Sequence, residues 1–367
     1  MRRAVSIGLA AVLAIGVGYA VFRSTRHHDA AQGTSSALTV VRGVSGSEKE
    51  PFFRDPAVAA VFARHGIKLE LVYAGSRKIA TLQNLGQYDF VFPSGAPAAE
   101  KIRRERKVVS RTEPFYTPMA IATFKPIADL LVRDKLARPF GTGYYQFDMA
   151  AYLRLTGRNA RWSDLAGNTA YPTHKQLFVS STDVRTSNSA AQYLAIASYV
   201  ANGDNVVQSR AQADAVLGKV APLFLRQGFT AESSEEPFDD YLSLGIGKTP
   251  MVVVYEAQFL ARQAAGDPAL TSDKVLMYPT PTILTKHIAL ALTARGSTVA
   301  TLLATDPELQ RLAVKYGFRV ADAGALGRYL TARKVPEPPA LLDVVEPPAY
   351  EVLEYQITGI DRLIRGS

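Results

Sequence analysis

The chain has 367 residues, of which 47% are hydrophobic and 20% charged; this excludes wholesale disorder, and the length suits two lobes of ordinary size. It contains no cysteine, which excludes disulfides, thiolate metal sites, cysteine nucleophiles and a cysteine-attached lipid anchor. Lys and Arg number 42 against 33 Asp and Glu, a net charge of +9. Arg2, Arg3, Arg23 and Arg26 lie in an acid-free start, so the remainder is only mildly basic. That balance suits an anionic ligand or surface rather than nucleic acid, and the densest basic stretch, Lys101 to Lys107, reads as a solvated helix face.

Met1-Arg-Arg3 precedes an uncharged run from Ala4 to Phe22, just long enough as a helix to span a bilayer core. Gly18-Tyr-Ala20 has small residues at the spacing of a signal-peptidase site, whereas the length of the run and the following Arg23 and Arg26 favour an uncleaved anchor. Both readings place the rest of the chain outside the cytoplasmic membrane. A polar linker covers 29–37.

Leu38 to Val41 reads as a strand and 42–49 as a turn-rich loop. A helix runs from Pro51 to His65 and stops at Gly66, a strand covers Lys68 to Tyr73, and Ser76 opens a helix ending at Gly86. Asp89 to Pro93 is a third strand, so the order β-α-β-α-β predicts a parallel sheet with helical crossovers. Met119 to Phe124, Leu177 to Ser180, Met251 to Tyr255, Lys274 to Tyr278 and Ile288 to Thr293 read as further strands. Helices are expected over Lys125–Leu136, from Ser187 past Tyr199, over Glu256–Ala265, and over Thr298–Tyr316 with an interruption at Asp306-Pro307. The tail from Val335, with five prolines, reads as extended backbone on the body or as a mobile segment.

Several motifs fail. Gly245-Ile-Gly-Lys-Thr249 lacks the first glycine of a P-loop, with Leu242 in its place, and Pro250 follows where a helix should begin. Gly141-Thr-Gly143 lacks the third glycine of a dinucleotide fingerprint. His65, His174 and His287 stand alone, without metal-ligand spacing, and there is no Gly-x-Ser-x-Gly elbow. The residues themselves point to no catalytic, metal or cofactor site.

From Leu38 onward the chain resembles the type II periplasmic solute-binding proteins of ABC importers, in the branch of sulfate-, molybdate- and phosphate-like binders. The resemblance rests on Leu38 to Ser47 as a strand delivering a Ser-Gly-Ser loop, Tyr88 to Ser94, the Trp162-Ser-Asp-Leu turn, Leu177 to Ser189, Val252 to Glu256, Asp306 to Gln310 and Lys315 to Phe318. It covers roughly residues 38 to 330. It implies an α/β fold of two lobes with a hinge and an interlobe cleft, preceded by the N-terminal hydrophobic helix. The expected division is 1–28 signal peptide or signal anchor, 29–37 linker, 38–123 plus 280–334 first lobe, 124–279 second lobe and 335–367 Pro-rich tail.

In open α/β sheets ligands lie beyond the C-terminal ends of strands, where helix N-termini present free amides. This places Ser45, Gly46 and Ser47, then Ser76, Arg77 and Ser94, on the first lobe's side of the cleft. Ser181, Thr182, Arg185, Ser187 and Asn188 follow on the second, with Tyr255 at a strand end. Hydroxyls and amides there suit a small oxyanion, with Arg77 or Arg185 adding a charge-assisted bond. Ser and Asn before a helix also serve as plain caps, Tyr255 equally suits a core position, and Lys49 is either a ligand contact or solvated. Glu48 and Asp183 keep zwitterions and other small organic solutes open.

The expectation is an extracytoplasmic solute-binding protein, monomeric and not an enzyme, that passes a small anionic ligand to an ABC permease. It is tethered by its N-terminal helix or exported after cleavage. The alternative is a membrane-anchored ligand sensor or protein-interaction module on the same fold. An enzyme on this fold is disfavoured because the covalent chemistry of some relatives uses a cysteine, which this chain lacks.

Overall fold

The computed structural model describes residues 37–227, 231–341 and 343–366, and the expected leader and nearly all of the linker lie outside them. Among the described residues no helix is long and apolar enough to cross a membrane. The strands are β1 (Thr39–Gly46), β2 (Ile67–Ala74), β3 (Phe90–Phe92), β4 (Ser110–Phe124), β5 (Ala137–Pro139), β6 (Tyr144–Asp148), β7 (Met251–Tyr255), β8 (Lys274–Thr280) and β9 (Leu284–Ala291). The first helices are α1 (Glu50–Phe53), α2 (Pro56–Arg64), α3 (Ser76–Thr81), α4 (Ala96–Glu105), α5 (Lys125–Arg133), α6 (Met149–Gly157) and α7 (Asn188–Ala201). They are followed by α8 (Arg210–Val220), α9 (Pro222–Leu225), α10 (Glu235–Leu244), α11 (Glu256–Ala265), α12 (Ala294–Thr305), α13 (Pro307–Lys315), α14 (Ala325–Ala332) and α15 (Tyr350–Gly366).

The expected parallel start is present: β1 lies between β2 and β3 and pairs parallel with both. Gly43 permits the close approach of β3, since a Cβ there would meet the Phe90 ring at 2.5 Å. The long strand β4 links the two halves. Its first part pairs antiparallel with β9, which joins it to β3, while Met119 to Phe124 pair with β7 and β8. Strand β8 carries β6, and β6 carries β5. Thus β1, β2, β3 and β9 with the start of β4 make one lobe, and the end of β4 with β5 to β8 makes the other.

Each lobe is built as its sequence patterns require. Strand β7 is buried at all five positions, which is why it reads as an unbroken Met-Val-Val-Val-Tyr run. Helix α7 is buried from Asn188 through Ser198, and its alanines let neighbours approach on every side. The expected 51–65 helix is divided into α1 and α2, because Asp55 caps Pro56 afresh by accepting the Ala57 N–H at 2.9 Å.

Other expectations change: the helix opened by Ser76 ends at Thr81, and the strand expected over 288–293 runs from Leu284 to Ala291. Leu177 to Ser180 forms no strand; a single bridge joins Ser180 to Val252. Strand β1 continues to Gly46, so Ser45 and Gly46 belong to the strand and not to a loop. The C-terminal segment is not extended throughout: α15 follows the proline-containing stretch and buries Leu353, Gln356, Ile357, Gly359 and Ile360. Those positions recur at three and four residues, an amphipathic pattern partly hidden by the prolines before it.

Candidate functional site

The C-terminal ends of β1, β3 and β7 and the N-terminus of α7 meet between the lobes. On the first lobe, a short helical turn after Gly46 carries Glu48 and Lys49 inward. Lys49 is fully buried, and its ammonium lies 3.0 Å from Ser94 Oγ and 3.1 Å from His287 Nδ1, besides its pair with Glu48. The Phe92 ring lies 4.7 Å below the same ammonium. Gly46 leaves room for this cluster, since a Cβ there would come within 2.7 Å of Lys49 Nζ and closer still to the Glu48 carboxylate, and the two side-chain ends would have to shift.

The hydrogen bonds of this cluster close on themselves. An ammonium has three protons, and Glu48, Ser94 and His287 accept them. Ser94 in turn donates its one hydroxyl proton to Glu48. Because the ammonium only donates, His287 Nδ1 accepts and its proton sits on Nε2, which is buried with no protein partner. Burial, with the Lys49 charge beside it, pushes His287 down to about 4, so the ring is neutral near pH 7. Burial alone would raise the Glu48 carboxyl, but Lys49 and His287 hold it well below the usual carboxylate range. Burial lowers the Lys49 ammonium, against the attraction of Glu48.

On the second lobe, Asn188 Nδ2 donates to the Tyr255 hydroxyl at 3.0 Å, both residues being buried. Burial, with Glu48 nearby, raises the Tyr255 hydroxyl far above its ordinary value, so it stays protonated. Thr182 and Ser189 hydroxyls lie 2.8 Å apart, and Ser187 and Ser189 hydroxyls 3.0 Å apart. Ser181 Oγ and Gln192 Oε1 are buried with no protein partner. The lobes are in contact: Ser47 and Ser233 hydroxyls are 3.4 Å apart, and a Cβ on Gly95 would stand 2.8 Å from Gln192 Nε2.

A cavity of about 520 Å³ opens beside this contact, lined by Glu48 and Phe318 from one side and Tyr255, Gln258 and Glu235 from the other. Gln258 Nε2 donates to Glu235 Oε1 at 2.8 Å, and burial raises the Glu235 carboxyl above its ordinary value.

The other residues singled out from the sequence are placed differently. Ser45 is fully buried in β1. Ser76 accepts the Ser94 N–H at 2.7 Å and so fixes the end of β3. Both arginines are taken by carboxylates of the chain itself: Arg77 by Glu354, and Arg185 by Asp183 at 2.6 Å and Asp361 at 3.4 Å. His287, dismissed as solitary, and Lys49, left ambiguous, stand at the centre. Their nearness comes from the antiparallel return of β9 beside β3 and β4, for which short-range spacing has no signal. Among the described residues no group of His, Asp and Glu is arranged to hold a metal ion.

Solved structures share this fold. The substrate binding protein of the ABC transporter from Agrobacterium tumefaciens matches at a TM-score of 0.56 and 11% identity, over 91% of this chain and 96% of its own. The periplasmic binding protein AfuA from Actinobacillus pleuropneumoniae, with exogenous fructose-6-phosphate bound, matches at a TM-score of 0.51 and 12% identity, over 89% of this chain and 97% of its own. The chain has the two-lobed type II fold of the periplasmic solute-binding proteins. At such identities the likeness concerns the fold alone. No protein-family model matches the chain, and no curated protein matches it. Within this fold the Lys49 cluster and the Asn188–Tyr255 pair face each other across the interlobe cleft.

Proposed function

We propose that the protein is an extracytoplasmic solute-binding protein that captures a small anionic solute between its lobes and delivers it to an ABC permease, without chemical change. The observation that carries this reading is the convergence of polar groups from both lobes beside the cleft cavity. Ser181 Oγ and Gln192 Oε1 of the second lobe and His287 Nε2 of the first are buried without protein partners, and the His287 ring lies against Tyr255 and Phe318, which line the cavity. The charge of Lys49 is balanced by Glu48, so hydroxyls, amides and the helix terminus supply recognition, and not a surplus of cations. The resemblance in fold supports the transport role, and the uncharged N-terminal run supports a site outside the cytoplasmic membrane.

The test is native mass spectrometry of the full chain released from detergent, followed by titration with sulfate, phosphate, molybdate, sugar phosphates and amino acids. A retained solute mass, or saturable binding weakened about tenfold by Asn188→Ala, is expected. An empty protein with no thermal shift from any of these solutes overturns the reading. That result would favour the ligand-independent interaction module, for which the C-terminal helix tying the two lobes together is the supporting observation.

A further inference from the structure

Helix α15 touches both lobes, and its two attachments differ in chemistry. On the second lobe it is embedded chiefly through apolar packing, with the Arg185–Asp361 and Tyr355–Asp214 contacts at its edge: Leu353, Ile357 and Ile360 are buried, and a Cβ on Gly359 would stand 3.1 Å from the Leu217 side chain of α8. Gln356 Nε2 also donates to Ser198 Oγ of α7 at 2.9 Å, a buried bond. On the first lobe it is held by ionic and cation–π contacts. Arg77 of α3 grips Glu354 with both terminal guanidinium nitrogens, one at 2.9 Å, Arg104 of α4 meets Glu351 at 2.5 Å, and the Lys101 ammonium lies 5.2 Å over the Tyr350 ring. Arg77 also donates to the Arg185 carbonyl of the second lobe at 3.1 Å, so one guanidinium joins α3, α15 and the loop before α7.

We propose that α15 is an intramolecular latch: it travels with the second lobe and holds the first lobe closed through Arg77–Glu354 and Arg104–Glu351. Apolar burial fixes a helix in water whatever the salt, whereas pairs of this kind weaken as ionic strength rises. The ionic end is therefore where the latch releases. The half-buried, two-pronged Arg77–Glu354 pair is the stronger hold, and the exposed Arg104–Glu351 pair contributes less. This goes beyond solute capture and takes from that reading only that the lobes move.

The absence of cysteine makes the test direct. Lys68→Cys on the first lobe and Arg158→Cys on the second give a single dye pair in the full chain, and energy transfer reports the open-to-closed ratio without any ligand. Glu351→Gln with Glu354→Gln leaves the apolar face of α15 unchanged and is expected to raise that ratio about tenfold. In the parent, 1 M salt is expected to raise it in the same direction, and in the double variant to add little. Arg77→Glu combined with Glu354→Arg is expected to restore the parent ratio, which separates a latch from simple loss of fold. Unchanged transfer in the folded double variant, or a charge-swapped pair that stays as open as the double variant, overturns the proposal. Solute retention, measured separately by native mass spectrometry, distinguishes failure of the latch from failure of the binding reading.

Discussion

Lys49 carries an ammonium into the interior, and the structure shows why it is tolerated there. Three acceptors take its three protons, one of them an ionised carboxylate, so the buried ammonium is fully matched. The neutral state of His287 is part of the same solution, because a second cation 3.1 Å from Lys49 would repel it. This gives a pH signature. His287 is depressed from 6.5 to about 4, so as pH falls through 6.5 the unfolded chain takes up a proton that the folded chain refuses. Stability is complete above 6.5 and declines down to about 4, by about 3 kcal/mol at about 1.4 kcal/mol per pKa unit. Glu48, also depressed, adds its own loss only once the pH passes below its unfolded value of 4.5. Urea unfolding at pH 7 and pH 5 should therefore show a smaller drop in His287→Gln than in the parent; equal drops would show that the ring is not held neutral.

Elements in this chain end where their capping chemistry ends. The break that Asp306-Pro307 implies in the sequence is the boundary between α12 and α13. There the Asp306 carboxylate accepts the N–H groups of Glu308 and Leu309 at 2.9 and 3.0 Å, and Pro307 occupies the first helical turn, where no amide partner is needed. Asp306→Ala is expected to cost about 1 kcal/mol of stability, read as a lower urea midpoint, with solute retention unchanged since the cap lies outside the cleft. A variant as stable as the parent would mean that water replaces the cap at no cost. Helices and β-branched runs near the N-terminus were legible in this way because local propensity and burial agree there. The stretch 177–180 was not: its apolar residues are buried by α6 and the loops around it, and only Ser180 reaches a strand partner.

At the crossing between the lobes a partly exposed arginine pairs with a fully buried carboxylate. Arg319 meets Glu256 through two 2.8 Å bonds, and the Tyr278 hydroxyl adds a third at 2.6 Å. Glu256 opens α11 in the second lobe, while Arg319 follows α13 and bridges to Tyr116 of β4. Removing Arg319 leaves the Glu256 charge buried and unmatched. Arg319→Met should thus destabilise by about 3–5 kcal/mol, and adding Glu256→Gln should recover part of that loss in denaturant unfolding. If the double variant is no more stable than the single one, the pair does not hold the crossing. Together with α15, this pair gives the lobes two ties at separate places, one on a buried carboxylate and one salt-sensitive.

By itself the sequence determined the α/β character, the parallel start and the two-lobed resemblance. These follow from periodicity, caps and strand ends, which act over a few residues. Tertiary structure alone decided that Lys49, Ser94 and His287 form one cluster, since β9 returns antiparallel from almost 200 residues beyond β3. It also decided that Arg77 and Arg185 bond to Glu354 and Asp361. A charged side chain goes to whichever opposite charge the fold brings within reach, and those partners lie far along the chain, on a helix whose seat exists only once both lobes have formed.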